Sequence, residues 1–195
     1  MAVLGRTLII SGGVLDISFA KEYLEGMEFD TVVCADSGLD SAYALGLPVH
    51  YAMGDFDSVS QEARERYQCG KAVEGVNTEF VEYPPEKDAT DTHIVLDWVT
   101  ERFPQEIIIL GATGKRLDHF LANLNILLKP LSYGIPAYIV DRHNKIYLMD
   151  HSGVIQKKDL FGKYISLVPF TREVTGVCLR GFRYGLEDRT LACGE

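Results

Sequence analysis

The sequence predicts an α/β fold followed by a small all-β domain, and three observations lead there. Up to about residue 140, short apolar runs alternate with segments of helical period. A polar loop bearing glycine or aspartate follows most of those runs. After residue 143 the helical period fades, and short strand-like runs joined by polar turns replace it. Alternating strand and helix signals imply a mostly parallel sheet covered on both faces, a Rossmann-like α/β/α arrangement. The expected division is an α/β domain over residues 1–143 and a small, sandwich-like β domain over residues 144–195.

In chain order, Thr7-Leu8-Ile9-Ile10 reads as a buried strand running into the turn Ser11-Gly12-Gly13. Phe19, Ala20, Tyr23, Leu24 and Met27 recur at helical spacing. Thr31 to Cys34 is the next strand, followed by Ala35-Asp36-Ser37-Gly38. A short helix through Leu39, Ala42, Tyr43 and Leu45 ends at Gly46 and Pro48. Val49 to Met53 is a weaker strand pattern that delivers Gly54-Asp55-Phe56-Asp57-Ser58. Residues 59–76 read as a charged helix and a loop. Glu79 to Tyr83 is a strand stopped by Pro84-Pro85. Asp88 or Thr90 can cap the helix that carries Ile94, Val95, Trp98, Val99 and Phe103. Glu106 to Leu110 is the clearest buried strand, leading to Gly111-Ala112-Thr113-Gly114-Lys115-Arg116. A helix with Leu117, Leu121, Leu124 and Leu128 on one stripe follows, then a strand from Ile135 to Val140. In the β region, strands are expected at 145–149, 153–155, 164–169 and 173–177.

The formal net charge of −9 argues against a nucleic-acid or anionic-membrane surface. Cys34, Cys69, Cys178 and Cys193 form neither a CxxC pair nor a zinc spacing, which suits a reduced, cytoplasmic chain. The first residues lack a secretory signal pattern, and no apolar run reaches the ~18 residues of a membrane span.

The chemistry gathers in five segments, each after an expected strand: Ser11-Gly12-Gly13, Asp36-Ser37-Gly38, Gly54 to Asp57, Lys87 to Asp91, and Gly111 to Asp118. In an open parallel sheet, ligands bind outside the carboxyl ends of the strands. Asp55 and Asp57 stand two positions apart, on one side of an extended segment. Two carboxylates about 4 Å apart repel by roughly 4 kcal/mol at an effective dielectric near 20, so such a pair suits a cation. Mg²⁺ is the expected guest, because it binds one or two carboxylates together with phosphate oxygens and water. The same residues also occur in solvated turns. Asp91 either completes a three-carboxylate site or is a first-turn helix aspartate, and Asp36 either joins it or caps a helix. Gly12-Gly13 and Gly111-Ala112-Thr113-Gly114 can offer backbone N–H groups to phosphate. The second is not a P-loop: it is too short, and Arg116 stands where the metal-binding hydroxyl would be. Arg116 offers a bidentate grip on phosphate, and Lys87 offers a point charge. Asp118 also serves as an ordinary helix-start carboxylate, and His119 is read as structural.

Taken in order, Ala35-Asp36-Ser37-Gly38, Gly54-Asp55-Phe56-Asp57-Ser58, Lys87-Asp88-Ala89-Thr90-Asp91 and Gly111 through His119 with Asn123 resemble the bacterial-type thiamine pyrophosphokinase family. The resemblance spans roughly residues 8–130 and includes the α/β-then-β layout. It implies a nucleotide-binding catalytic domain followed by a thiamine-binding domain. The implied reaction is Mg²⁺-dependent transfer of pyrophosphate from ATP to the thiamine hydroxyl, releasing AMP. By the resemblance, Asp55, Asp57 and Asp91 hold Mg²⁺, with Asp36 beside them. Lys87 and Arg116 steady the phosphates, and Asp118 or Asp91 accepts the hydroxyl proton. Gly12, Gly13, Asp36, Ser37, Gly111, Thr113 and Gly114 form the nucleotide-binding set. The family is typically a homodimer with the β domain contributing to the thiamine pocket across the interface. Family members usually continue past the equivalent of Gly194-Glu195, so the thiamine half is expected to be truncated here.

Three rivals remain open at the level of sequence. A hydroxymethylpterin diphosphokinase shares fold and donor chemistry. A haloacid-dehalogenase-like phosphatase would use Asp55 as nucleophile and Asp57 as acid/base. A nucleotide sensor without catalysis is the third, and the density of carboxylates argues against it.

Overall fold

Leu8 to Ile10 and Ile107 to Leu110 are continuous apolar runs, and a strand apolar on both sides must be covered on both faces. The computed structural model, which describes residues 4–70, 72–73, 75–84, 88–114 and 116–194, has that arrangement. The elements are β1 (Arg6–Ile10), α1 (Ile17–Leu24), β2 (Thr31–Ala35), α2 (Gly38–Leu45), β3 (Tyr51–Gly54), α3 (Gln61–Gln68), β4 (Glu79–Glu82) and α4 (Asp91–Thr100). They continue with β5 (Glu106–Leu110), α5 (Leu117–Ile126), α6 (Leu128–Ser132), β6 (Ala137–Val140) and β7 (Lys145–Ile146).

The strands form one sheet in the order β4-β3-β2-β1-β5-β6-β7. β1 to β6 are parallel and β7 pairs antiparallel with β6. The chain thus builds outward from β1 to β4, then returns to the other side of β1 with β5. The helices that follow β1 and β5 pack on opposite faces, α1 with Leu8 and Ile10 and α5 with Ile9 and Ile109, which opens a crevice at the carboxyl ends of these strands.

Alternation along the strands assigns the two cores. Leu8, Ile10, Val32, Cys34, Ile108 and Leu110 cluster with Phe19, Ala20, Leu39 and Ala42 of α1 and α2. Ile9, Val33, Ala35, Met53, Ile107 and Ile109 cluster with Val95, Leu96 and Val99 of α4. Side-chain caps set three helix starts: Asp16 accepts from the Phe19 N–H, Ser60 from Ala63 and Thr90 from His93. Of the two capping candidates for α4, Thr90 makes the bond, an interaction worth about 1 kcal/mol.

The chain divides into two compact units, with the division between Val154 and Ile155. The second unit contains β8 (Glu173–Leu179) and β9 (Leu186–Ala192), paired antiparallel. Several expectations change. Lys145–Ile146, read as the start of the β region, pairs with β6 in the large sheet instead. Residues 153–155 and 164–169 form no strand, while the unanticipated β9 does. Its Glu187, Asp188 and Arg189 break the apolar alternation that marks a half-buried strand. The leucine stripe is split between α5 and α6, and Leu117, Leu121 and Leu128 are exposed. Phe103 lies beyond the end of α4 with a positive φ of 51° and is exposed. Among the described residues, no helix is long and apolar enough to cross a membrane.

Candidate active site

β2 and β3 are neighbours in register, Ala35 opposite Met53, so the residues that follow them leave the sheet side by side. The Asp36 N–H donates to the Met53 carbonyl at 2.9 Å. Asp36 then turns into the left-handed region with φ 44°, a conformation aspartate tolerates better than most residues. Gly54 makes this approach possible: a Cβ there would lie 3.0 Å from Asp36 Cα and 3.1 Å from Asp36 Cβ. Phe56 also has a positive φ, 60°, a cost of about 1–3 kcal/mol that surrounding structure must offset. Its ring is buried and packs on Phe80 with centroids 5.4 Å apart, which anchors the loop between the two flanking aspartates.

The result is a trio. One carboxylate oxygen each from Asp36, Asp55 and Asp57 falls within 4.8 Å of the others. The Ser58 hydroxyl joins two of them, 2.5 Å from Asp36 Oδ2 and 3.0 Å from Asp57 Oδ1. The Asp57 N–H donates to Asp55 Oδ1 at 3.3 Å. Asp36 Oδ1, by contrast, is buried with no hydrogen-bond partner. A buried acceptor left unsatisfied costs about 1–3 kcal/mol, and a cation among the three carboxylates would satisfy it. An all-carboxylate donor set is that of a hard, oxygen-seeking ion such as Mg²⁺. The residues present therefore fit the ion that the sequence led us to expect.

Asp91 begins α4 and is not one of the three. Its neighbour Thr92 is buried, with its hydroxyl 2.5 Å from that of Ser11 at the end of β1. This contact ties the start of α4 to the Gly12-Gly13 turn.

That turn is held by close backbone approaches. The Ser37 hydroxyl donates to the Gly12 carbonyl at 3.2 Å, and a Cβ on Gly12 would press on the same hydroxyl at 2.6 Å. A Cβ on Gly13 would collide with the Gly111 carbonyl. Gly111 itself has φ 73°, and a Cβ there would stand 2.6 Å from the Ser11 carbonyl. The loops after β1 and β5 are thus in backbone contact at glycines. The second is pinned further by buried Asn123, whose amide donates to the Ala112 carbonyl at 2.8 Å.

Arg116 and Asp118 meet each other rather than the trio. The guanidinium grips the carboxylate in a fork, Nη2 to Oδ2 at 2.6 Å and Nε to Oδ1 at 3.2 Å. This hydrogen-bonded pair lowers the Asp118 pKa from 3.8 to about 2 and raises that of Arg116. Because the folded-state value is depressed, the pair's contribution is fully present above pH 3.8 and is lost as pH falls through about 2. Both side chains are exposed, so salt should screen the interaction. In an NMR titration the Asp118 carboxyl should move from about 2 toward 3.8 when Arg116 is replaced by alanine. A midpoint that stays where it was would remove Arg116 as the cause.

Of the residues singled out from sequence, Asp36, Asp55 and Asp57 converge, as do Gly12 with Ser37 and Gly13 with Gly111. Thr113 donates to Asp141, whose pKa is lowered even though burial opposes the shift. Gly114 approaches Gly13, with 3.8 Å between a Cβ on Gly114 and Gly13 Cα. Lys87 lies outside the described residues. Sequence reasoning did not assign roles to Ser58, Ser11, Thr92 or Asp141. Ser58 was within reach, since it adjoins the aspartate pair; the others depend on contacts between distant segments.

The comparisons with known proteins bear on the same segments. The profile for the thiamin pyrophosphokinase catalytic domain matches residues 24–139. That for the thiamin pyrophosphokinase vitamin B1 binding domain matches residues 152–195. The thiamine pyrophosphokinase of Bacillus subtilis (strain 168) is 34% identical over 170 residues, 87% of this chain and 73% of that protein. Thiamine pyrophosphokinase 1 of Oryza sativa subsp. japonica is 26% identical over 150 residues, 72% of this chain and 54% of that protein. The crystal structure of the Bacillus subtilis enzyme superposes with a TM-score of 0.81 at 29% identity, covering 98% of this chain and 86% of that one. That of the Geobacillus thermodenitrificans enzyme gives 0.70 at 27% identity, with 98% and 84% covered. With both domain profiles matched in order and a relative above 30% identity along most of its length, this chain belongs to the thiamine pyrophosphokinase family.

Proposed function

We propose that the chain transfers a pyrophosphoryl group from ATP to the hydroxyl of thiamine, releasing AMP, with Mg²⁺ held by Asp36, Asp55 and Asp57. The observation that carries this reading is the trio itself: three carboxylates within 4.8 Å, one with a buried, unpartnered oxygen, beside two glycine loops. Bound there, Mg²⁺ would neutralise charge on the phosphate oxygens.

In this reading the thiamine oxygen forms a bond to the β-phosphorus. The bond from the β-phosphorus to the oxygen bridging it to the α-phosphorus breaks, and AMP leaves with that oxygen and its electron pair. The hydroxyl proton passes to a carboxylate. Phosphoryl-type transfer relies chiefly on positioning and electrostatics, so a weak acceptor suffices. Asp118 is the poorer acceptor while Arg116 holds it, because its pKa is about 2. Asp91 at the start of α4, tethered through the Ser11–Thr92 contact, takes that role in this reading. Arg116 and Lys87 bind the polyphosphate, and Arg116 exchanges its carboxylate partner for phosphate oxygens when the donor arrives. Gly12, Gly13, Ser37, Gly111, Thr113 and Gly114 line the donor's path. The match of residues 152–195 to the vitamin B1 binding domain supports thiamine as acceptor. The same reading includes a homodimer working in the cytoplasm, and the exposed leucines of α5 are compatible with a covered face.

The test is AMP release from ATP with Mg²⁺, measured with thiamine and with hydroxymethylpterin as acceptors. Thiamine should support turnover. Turnover with the pterin alone would transfer the chain to the other diphosphokinase activity.

A further inference from the structure

A hydroxyl has a single proton to donate, and that of Ser58 stands between two negative charges. Its oxygen lies 2.5 Å from Asp36 Oδ2 and 3.0 Å from Asp57 Oδ1. Charge-assisted O–H···O⁻ bonds run to about 2.5–2.7 Å and are roughly twice as strong as neutral ones. The proton therefore belongs to Asp36, and the contact with Asp57 is its weaker arm. We infer that Ser58 is a positioning residue that sets the ion selectivity of the carboxylate trio, favouring Mg²⁺ over Ca²⁺ by keeping Asp36 and Asp57 from offering both oxygens to one cation. The inference rests on the metal site of the proposed function and adds the residue that tunes it.

The two ions ask different things of a carboxylate. Mg²⁺ demands near-octahedral geometry at about 2.0–2.1 Å and keeps several of its waters, which suits one oxygen from each carboxylate. Ca²⁺ accepts about six to eight oxygens at about 2.3–2.6 Å, often with a carboxylate bound through both. Selectivity between them follows cavity size, ligand number and flexibility. In the trio, Asp36 Oδ2 is turned to the Ser58 hydroxyl, while Oδ1 is buried with no hydrogen-bond partner among the described residues. A cation on the Oδ1 side meets one oxygen of Asp36. Asp57 is held at Oδ1 by the same hydroxyl. Without it, each carboxylate could turn about its last torsion, which is broad and roughly two-fold for aspartate, and present both oxygens.

The hydroxyl can hold this setting because the backbone on either side of it is fixed. Asp36 is placed by its N–H bond to the Met53 carbonyl at 2.9 Å and by the Leu39 N–H, which donates to the Asp36 carbonyl at 3.0 Å. The segment before Ser58 is anchored at Phe56, whose buried ring packs on Phe80 and lies under the Arg64 guanidinium at 5.4 Å. Arg64 in turn donates to Glu82 of β4 at 2.6 Å. Asp36 leaves β2 and Ser58 follows β3, so the bond between them ties segments 22 residues apart. Ser58 itself is exposed, and its replacement leaves no cavity.

Calorimetry on the chain without nucleotide would measure Mg²⁺ and Ca²⁺ binding to the unaltered protein, to Ser58→Ala and to Ser58→Thr, with Asp57→Asn as the blank for ions bound elsewhere. Alanine should shift the ratio of the two dissociation constants toward Ca²⁺ by about tenfold. Threonine, which keeps the hydroxyl, should retain the unaltered ratio. A merely structural role would weaken both ions together; an unchanged ratio in the alanine variant would overturn the inference. So would a threonine variant that behaves like alanine. Binding by the unaltered chain scores the carboxylate site separately. If neither ion binds above the blank at millimolar concentration, that site and the inference fall together, whereas binding with an unchanged ratio overturns the inference alone.

Discussion

Asp57→Asn should abolish Mg²⁺-dependent turnover, by about three orders of magnitude or more, while the protein keeps its fold. The two halves of that expectation have separate physical causes. Asp57 is exposed; its carboxylate belongs to the trio and accepts from the Ser58 hydroxyl, while its backbone N–H, which the substitution leaves in place, donates to Asp55. Asparagine preserves size and an accepting oxygen but removes the charge that a divalent cation requires. Stability should stay within about 0.5 kcal/mol, as for most surface substitutions. Removing one of three neighbouring negative charges also relieves repulsion, so the midpoint of thermal unfolding should hold or rise slightly in the absence of Mg²⁺. Activity in steady-state assays and melting by circular dichroism check the two halves independently. Wild-type turnover in the variant would remove the trio from the chemistry.

Arg116→Lys should lower kcat by about a hundredfold, although the charge is retained. The guanidinium offers a planar fork, already used on Asp118 with bonds of 2.6 and 3.2 Å. Lysine is a point charge on a flexible stem and cannot reproduce two parallel bonds to phosphate. The loss should appear in kcat more than in KM for thiamine, because in the proposed reading Arg116 binds the donor. Full activity in this variant would remove Arg116 from the site.

Features confined to one stretch of chain were legible in the sequence, and those built from distant segments were not. The strands Leu8 to Ile10 and Ile107 to Leu110 were legible because continuous apolar runs need burial on both faces, which the sheet and its two helical layers provide. The convergence of loops was legible because parallel strands put their carboxyl ends on one edge. The carboxylate trio was legible only in part. Asp55 and Asp57 share a segment, but Asp36 joins them through the register of β2 on β3 and the close approach at Gly54, neither of which is written in one stretch of chain. The Ser11–Thr92 and Thr113–Asp141 contacts were not legible at all, since each spans separate strand–helix units. In the second unit, Leu186–Ala192 carries charges at its centre and so lacked the alternation by which strands are read.

The most direct measurement follows both products of a single reaction. Incubated with ATP, Mg²⁺ and thiamine, the chain should release AMP and thiamine pyrophosphate in equal amounts, and a chelator should stop both. ADP with thiamine monophosphate, or inorganic phosphate with a phosphoaspartate trapped on Asp55, would contradict pyrophosphoryl transfer at this carboxylate site.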